Sequence, residues 1–212
     1  MAPDASNRKS TINAGAEPQE ASAYGLRVKH LGMAWFIAAD AALFFAVFAA
    51  CLWIRMSSAR WPREFPPSPA ATAAMTAILF ASSLTMALAL RAAGRNNSRQ
   101  ALAWLLAAAL GAAAFGLLEI RQWMELIARG LTLARDPWGT PALGASFFAL
   151  TGLHLLHIAA GVIYALVLTA SASRHRLTSE RVKLCNLYWQ YVCILWLFIL
   201  PFVYLSFGQT RL

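Results

Sequence analysis

Between Ala142 and Ser173 the chain carries no Lys, Arg, Asp or Glu. A helix needs about 20 predominantly apolar residues to cross the hydrocarbon core of a bilayer. This stretch exceeds that length, so it can project beyond the bilayer or tilt within it. Four further apolar runs reach or approach the same length: Leu31–Ile54, Ala70–Leu90, Ala101–Leu118, which can extend through Trp123, and Leu184–Gly208. All are rich in Ala and Leu and lack the period-two alternation of a membrane barrel. Lipid makes unpaired backbone groups so costly that helices are the remaining choice. The expected fold is an all-α integral membrane bundle of five transmembrane helices, with spans at about 31–54, 70–90, 101–123, 142–173 and 184–208. The domain is expected to cover 31–212. Residues 1–30 are polar and without a hydrophobic core, and are expected to form a largely disordered tail.

Composition supports the membrane reading. Apolar residues make up 59% of the chain and charged residues 13%, against about 25% charged in ordinary soluble domains. A soluble enzyme, a disordered chain and a nucleic-acid-binding domain are all poor fits. The net charge of +9 could suggest a nucleic-acid partner, but the charges lie between the apolar runs, as expected beside anionic headgroups. No nucleic-acid partner is expected. Counting Lys and Arg gives eleven in the tail and the second and fourth loops, against six on the opposite side. That excess predicts an inside N-terminus and an outside C-terminus. Cys51, Cys185 and Cys193 form no C-x-x-C pair, so neither a disulfide framework nor a thiolate metal site is expected.

The informative residues are the polar ones inside the spans. Asp40 lies near the middle of the first, where a carboxylate costs roughly 2.5–3.5 kcal/mol on insertion scales. It should face protein, be protonated, or both, either as a neutral hydrogen-bonded packing group or as one that exchanges protons or fixes an interface. His154, His157 and Gly161 share one face of the fourth span at 100° per residue. The small residue lets a neighbouring helix approach, and the imidazoles can hydrogen-bond across it. Metal ligation is the alternative, but four histidines in the whole chain are too few for a membrane di-iron site, and His30 and His175 lie at span ends. Glu119 and Gln122 share a face near the end of the third span and suit an interhelical hydrogen bond, whereas Arg121 and Glu125 read as a solvated helix end. In the fifth span Trp189 suits either the aromatic belt or packing, Trp196 is too deep for the belt, and Pro201 should interrupt the helix late. Nucleophile-elbow, phosphate-loop, dinucleotide and zinc-protease motifs are all absent from the sequence.

Taken together, these motifs resemble subunit III of the haem-copper oxidases, the third subunit of cytochrome c and quinol oxidases. T-G-L-H-L-L-H-I-A-A-G at 151–161 is similar to the family's T-G-x-H-x-x-H-x-x-x-G, and Y-W-Q-Y-V-C-I-L-W-L at 188–197 to its Y-W-H-F-V-D-x-x-W-x. W-F-I-A-A-D-A-A-L-F-F at 35–45 resembles a family stretch with an acid at the Asp40 position. P-P-S-P at 66–69, leading to T-A-I-L-F-A-S-S-L-T at 76–85, resembles its second helix. Gln190 and Cys193 stand where the family carries His and Asp, Met75 where it carries Asn, and Glu119 and Gln122 where Gln and Glu are expected. The five-span layout is similar to the short bacterial form.

The resemblance implies a non-catalytic subunit of a proton-pumping terminal oxidase in a prokaryotic plasma membrane. No catalytic, metal or cofactor site is expected in this chain. Haem and copper are expected in the catalytic subunit I, beside which this chain would pack with other oxidase subunits, membrane lipids and bound phospholipid. Asp40, Glu119, Gln122, His154, His157, Gly161, Trp189, Gln190 and Trp196 are the expected interhelical, subunit-contact or proton-related residues. An accessory protein of nitric oxide reductases shares much of the pattern. A small proton-coupled transporter using Asp40 and Glu119 is a third reading, weakened by the lack of any visible internal repeat.

Overall fold

The computed structural model describes residues 5–58, 69–137, 141–172 and 177–202, with side chains from Tyr24 onward. Five helices follow in order: α1 Ala5–Ser57, α2 Pro69–Gly94, α3 Ser98–Ala128, α4 Pro141–Ala172 and α5 Ser179–Leu200. Each contains a stretch long and apolar enough to cross a membrane, the one in α1 being Tyr24–Ser57. Helices α2 and α3 overrun their expected spans by up to five residues, and α4 matches its own to within one residue at each end. By contrast, α1 continues well before Leu31, back to Ala5, through sequence expected to form a polar tail. Once an apolar span has nucleated a helix, each further residue adds a hydrogen bond at little extra cost, and Ala, Glu and Gln are good helix formers. At the other end the α-helix stops at Leu200, and Pro201 and Phe202 continue as a π-helical turn, because Pro201 has no N–H for the next α-helical bond. The expected end of the fifth span at Gly208, most of P-P-S-P and the basic residues Arg174 and Arg176 lie outside the described residues.

The chain forms two units, Met1–Ala41 and Ala42–Leu212. The first is the long N-terminal part of α1. Trp35, Phe36 and Leu31 are exposed along it, while Asp40 is buried, 9% exposed.

In the second unit α2 packs on α3, α3 on α4, α4 on α5 and α5 back on α2, closing a ring of four helices. Its interior is filled by Leu79, Met86, Leu105, Phe115, Leu150 and Trp196. The outer surface carries large apolar side chains such as Leu110, 70% exposed, with Leu117, Leu156 and Phe198. Water would penalise such a surface; lipid does not. The last part of α1 touches α4 through Phe44 and Cys51, and the turn after α5 through Phe48. The Phe44 ring meets His157 edge-on at 5.2 Å, Phe48 meets Phe202 at 5.6 Å, and the Cys51 thiol reaches the Ser146 carbonyl at 3.9 Å.

Left-handed residues close the ends of α2 and α3. After α2 the chain turns through Asn96 at φ 56, with Asn96 and Asn97 N–H groups returning to the Ala93 and Ala92 carbonyls. Asn97 then caps α3 by accepting from the Gln100 N–H at 3.1 Å. After α3, Gly130 adopts φ 94, and the Gly130 and Leu131 N–H groups bond the Ile127 and Leu126 carbonyls. Both ends are Schellman motifs, which satisfy carbonyls that a helix terminus leaves open and require a left-handed residue, here Asn and Gly.

Candidate functional site

Asp40 belongs to the first unit; the other eight singled-out residues belong to the second, and most of them lie at its helix–helix seams. The α2–α5 seam is held by three side-chain contacts in antiparallel register. Trp196 Nε1 donates to Thr76 Oγ1 at 3.0 Å, Trp189 Nε1 to Ser82 Oγ at 3.2 Å, and Ser83 Oγ to Gln190 Oε1 at 2.6 Å. Gln190 Nε2 returns to the Ser83 carbonyl at 3.3 Å and to Asn186 at 3.2 Å. Ser82 passes its own proton to the Ala108 carbonyl of α3 at 2.8 Å, so one hydroxyl joins three helices. Thr76 likewise donates to the Thr72 carbonyl one turn back.

The α4–α5 seam closes around Gly161. A Cβ there would stand in ordinary van der Waals contact, 3.4 Å from the Tyr188 ring and 3.5 Å from that of Trp189, so both rings lie directly against α4 at this residue. Tyr188 donates its hydroxyl to the His157 carbonyl at 3.0 Å, while His157 Nδ1 donates to the Leu153 carbonyl at 2.7 Å, fixing the proton on that nitrogen. A crevice of about 10 Å³, lined by Ala112, Gly161, Tyr188, Trp189 and Cys193 among others, remains at this junction. It is near the lower limit for a single water and its lining is apolar.

His154 faces a different set. It is 1% exposed, stacks on Trp196 at 5.3 Å and meets the edge of Phe115 at 5.7 Å; Phe115 and Trp196 are themselves 4.8 Å apart. Neither ring nitrogen has a hydrogen-bond partner among the described residues. The two histidines thus share a helix face in sequence but meet different neighbours. Among the described residues no three of His, Cys, Asp and Glu converge on a point where a metal could sit, and Cys51, Cys185 and Cys193 are free and buried.

On the α3–α4 seam Glu119, also 1% exposed, accepts from Trp123 Nε1 at 3.1 Å. The same indole N–H reaches Thr151 Oγ1 at 3.2 Å, and Thr151 gives its proton to the Phe147 carbonyl. Glu119 Oε2 has no partner among the described residues. Gln122 is buried beside this group on the same helix, and Arg121 pairs with Glu125 at 3.0 Å in the open. Sequence reasoning named Glu119 without its partners Trp123 and Thr151, and passed over Ser82, Ser83 and Thr76 as contacts. The available signal was small polar residues recurring in the middle of an apolar helix, where hydrogen bonds across helices are the usual use.

The arrangement is a set of interhelical clamps rather than a nucleophile with its base. Comparison with known proteins identifies the setting: residues 12–208 match the family of cytochrome c oxidase subunit III. The chain belongs to that family. It is 38% identical over 133 residues to the cytochrome bo(3) ubiquinol oxidase subunit 3 of Pseudomonas aeruginosa, a match covering 61% of each chain. To the cytochrome c oxidase subunit 3 of Alkalihalophilus pseudofirmus it is 29% identical over 199 residues, covering 90% of this chain and 92% of the relative. To the quinol oxidase subunit 3 of Bacillus spizizenii it is 28% identical over 134 residues, 62% of this chain and 63% of the relative. The matched part therefore spans less than two thirds of these two quinol oxidase relatives and nearly all of the cytochrome c oxidase one. The chain is a haem-copper oxidase subunit III, and its described residues hold five helices long and apolar enough to cross a membrane.

Proposed function

We propose that this subunit III is a non-catalytic, helix-packing component of a proton-pumping terminal oxidase in a bacterial plasma membrane. In this reading it stands beside a catalytic subunit that carries haem and copper, reduces oxygen to water and takes its electrons from cytochrome c or quinol. It steadies that subunit, supports its proton uptake and holds phospholipid, with its N-terminus inside and its C-terminus outside. The observation that supports this reading best is the closed α2–α5 ring. Its buried indoles, hydroxyls and amides are spent on one another across helix seams, as in Trp189 to Ser82, Trp196 to Thr76 and Tyr188 to the His157 carbonyl. A transporter would need such groups to line a path instead.

The test is purification of the tagged full chain from its native membrane in mild detergent. Co-purification of a haem-bearing subunit with oxygen-reducing activity is expected. Recovery of the chain alone would favour the transporter, and recovery with nitric-oxide-reducing subunits would favour the accessory protein of that enzyme.

A further inference from the structure

Three polar side chains point into the middle of the ring at one level. Along α2, Ser82 faces α3 and Thr76 faces α5; at 100° per residue Thr72 falls between those two directions. Along α3, Gly111 approaches Ser82 of α2, while Gly116 and Trp123 meet Leu155 and Thr151 of α4. Glu119 falls between these two faces. Along α4, His154 falls between Thr151, which faces α3, and Gly161, against which the α5 rings lie. The levels agree as well. Ser82 lies opposite Ala108 and Gly111, and equal distances along the antiparallel pair put Thr72 opposite residues 118–121. Phe115 meets His154 and Trp123 meets Thr151, so Glu119 stands level with the turn from Thr151 to His154. Trp196, bonded to Thr76 and stacked on His154, closes this layer from α5.

All three side chains are buried, Thr72 at 7% exposure and Glu119 and His154 at 1% each. Four of their polar atoms have no hydrogen-bond partner among the described residues: Thr72 Oγ1, Glu119 Oε2 and both ring nitrogens of His154. Buried donors and acceptors left unpaired are costly, so three such groups converging from three helices call for a common partner. A hydroxyl, a carboxyl oxygen and an imidazole offer donors and acceptors together. A metal cation would use the acceptors and be repelled by the ring N–H of His154. An apolar occupant would satisfy none of them. Water gives and takes at once. It can donate to Glu119 Oε2 and to the unprotonated nitrogen of His154 while accepting the Thr72 proton, and about three bonds to otherwise unpaired groups is the usual complement of a buried water.

We propose that this layer of the ring is a buried water-binding site, in which ordered water joins Thr72 of α2, Glu119 of α3 and His154 of α4. Nothing in the site depends on the oxidase reading, and its test is scored whichever subunits co-purify. The experiment is X-ray radiolytic footprinting of the tagged full chain in mild detergent, read residue by residue by mass spectrometry. Radicals formed from a bound water oxidise the side chains around it, whereas radicals from bulk water do not reach a closed core. Oxidation is expected at Trp196 and Phe115, both 0% exposed, and not at Met86, which is equally buried but lies farther along α2. Thr72→Val with His154→Phe keeps side-chain shape and ring stacking, and is expected to lower the oxidation at least several-fold with helicity unchanged. Thr72→Val alone is the milder variant and is expected to lower it in the same direction. Replacing sodium by choline in the buffer should leave the labelling unchanged. No oxidation at Trp196 and Phe115 in the wild type, unchanged oxidation in both variants, or equal oxidation of Met86 would each overturn the proposal. So would labelling that depends on sodium, the mark of a cation in the site.

Discussion

Replacing Ser82 by Ala removes a single oxygen from the one side chain that joins three helices. Trp189 Nε1 donates to that oxygen at 3.2 Å, and the hydroxyl donates onward to the Ala108 carbonyl at 2.8 Å. Ser82 is 2% exposed, so no water replaces what is lost. The Ala108 carbonyl keeps its bond within α3, so the lost donor there leaves it satisfied. The indole N–H of Trp189 does not have that recourse and becomes a buried donor without an acceptor, a cost of about 1–3 kcal/mol. Interhelical hydrogen bonds inside membranes average only about 0.6 kcal/mol, with a maximum near 1.7, because the unfolded helices also find partners in the bilayer. The two limits place Ser82→Ala at about 1–2 kcal/mol of destabilisation, a factor of roughly 5 to 30 in the folded-to-unfolded ratio. Trp189→Phe breaks the same bond from the other side but leaves Ser82 still donating to Ala108. A double-mutant cycle on the two substitutions isolates the shared bond, and its coupling should be about 0.6–1.7 kcal/mol. The assay is denaturation of the full chain in mixed micelles with rising sodium dodecyl sulfate, followed by circular dichroism. A coupling indistinguishable from zero would show that the contact carries no net energy and that packing alone holds the α2–α5 seam.

Gly144→Ala should be more damaging, because a Cβ there would overlap the Thr132 carbonyl oxygen and press on Leu131; overpacking of this kind costs about 1–3 kcal/mol, read as a lowered midpoint in the same titration. Neutralising Arg121 and Glu125 together should be almost silent, within about 0.5 kcal/mol, since their ion pair is 72% and 55% exposed and surface pairs one turn apart contribute little. Tags at Met1 and Leu212 should be reached by protease from the inside and the outside respectively, and the reverse pattern would overturn the proposed orientation. Asp40→Asn should leave assembly and oxygen consumption close to wild type, whereas Asp40→Leu should loosen the subunit; a large loss of proton uptake in an assembled Asp40→Asn complex would show that Asp40 handles protons.

How much was legible in the sequence follows from which physical constraint each feature obeys. Span number and placement depend on the run of apolar residues against bilayer thickness, a one-dimensional property, and α2, α3 and α4 end within five residues of their expected bounds. Helix ends obey other rules. Hydropathy falls before Leu31 while α1 runs back to Ala5, because helix propagation does not need hydropathy. The left-handed Asn96 and Gly130 show that local turn chemistry, rather than the end of an apolar run, closes α2 and α3.

The site residues were half legible for a related reason. A polar or amphipathic side chain deep in a span is costly to leave facing lipid, so Glu119, His154 and Trp196 can be named from depth, and Gln190 from the resemblance. Their partners depend on the rotation and register of two helices, which hydropathy does not encode. Register is set where backbones come closest: Gly111 leaves room for Ser82, whose Cβ would stand 3.0 Å from an added side chain. Once those approaches are made, the polar partners follow with no further choice. Ser82 meets Trp189 and Thr76, six residues earlier on α2, meets Trp196, seven residues later on α5, as antiparallel helices require, and Ser83 meets Gln190 beside the first of these contacts. The small and the polar residues of these spans are therefore one device, the first bringing helices together and the second penalising any other register. A slip of one turn toward the α2 C-terminus would bring Phe80 to Trp196 and Met86 to Trp189, leaving both buried indoles without acceptors. That penalty, more than the modest gain from each bond, is what gives the ring a single arrangement.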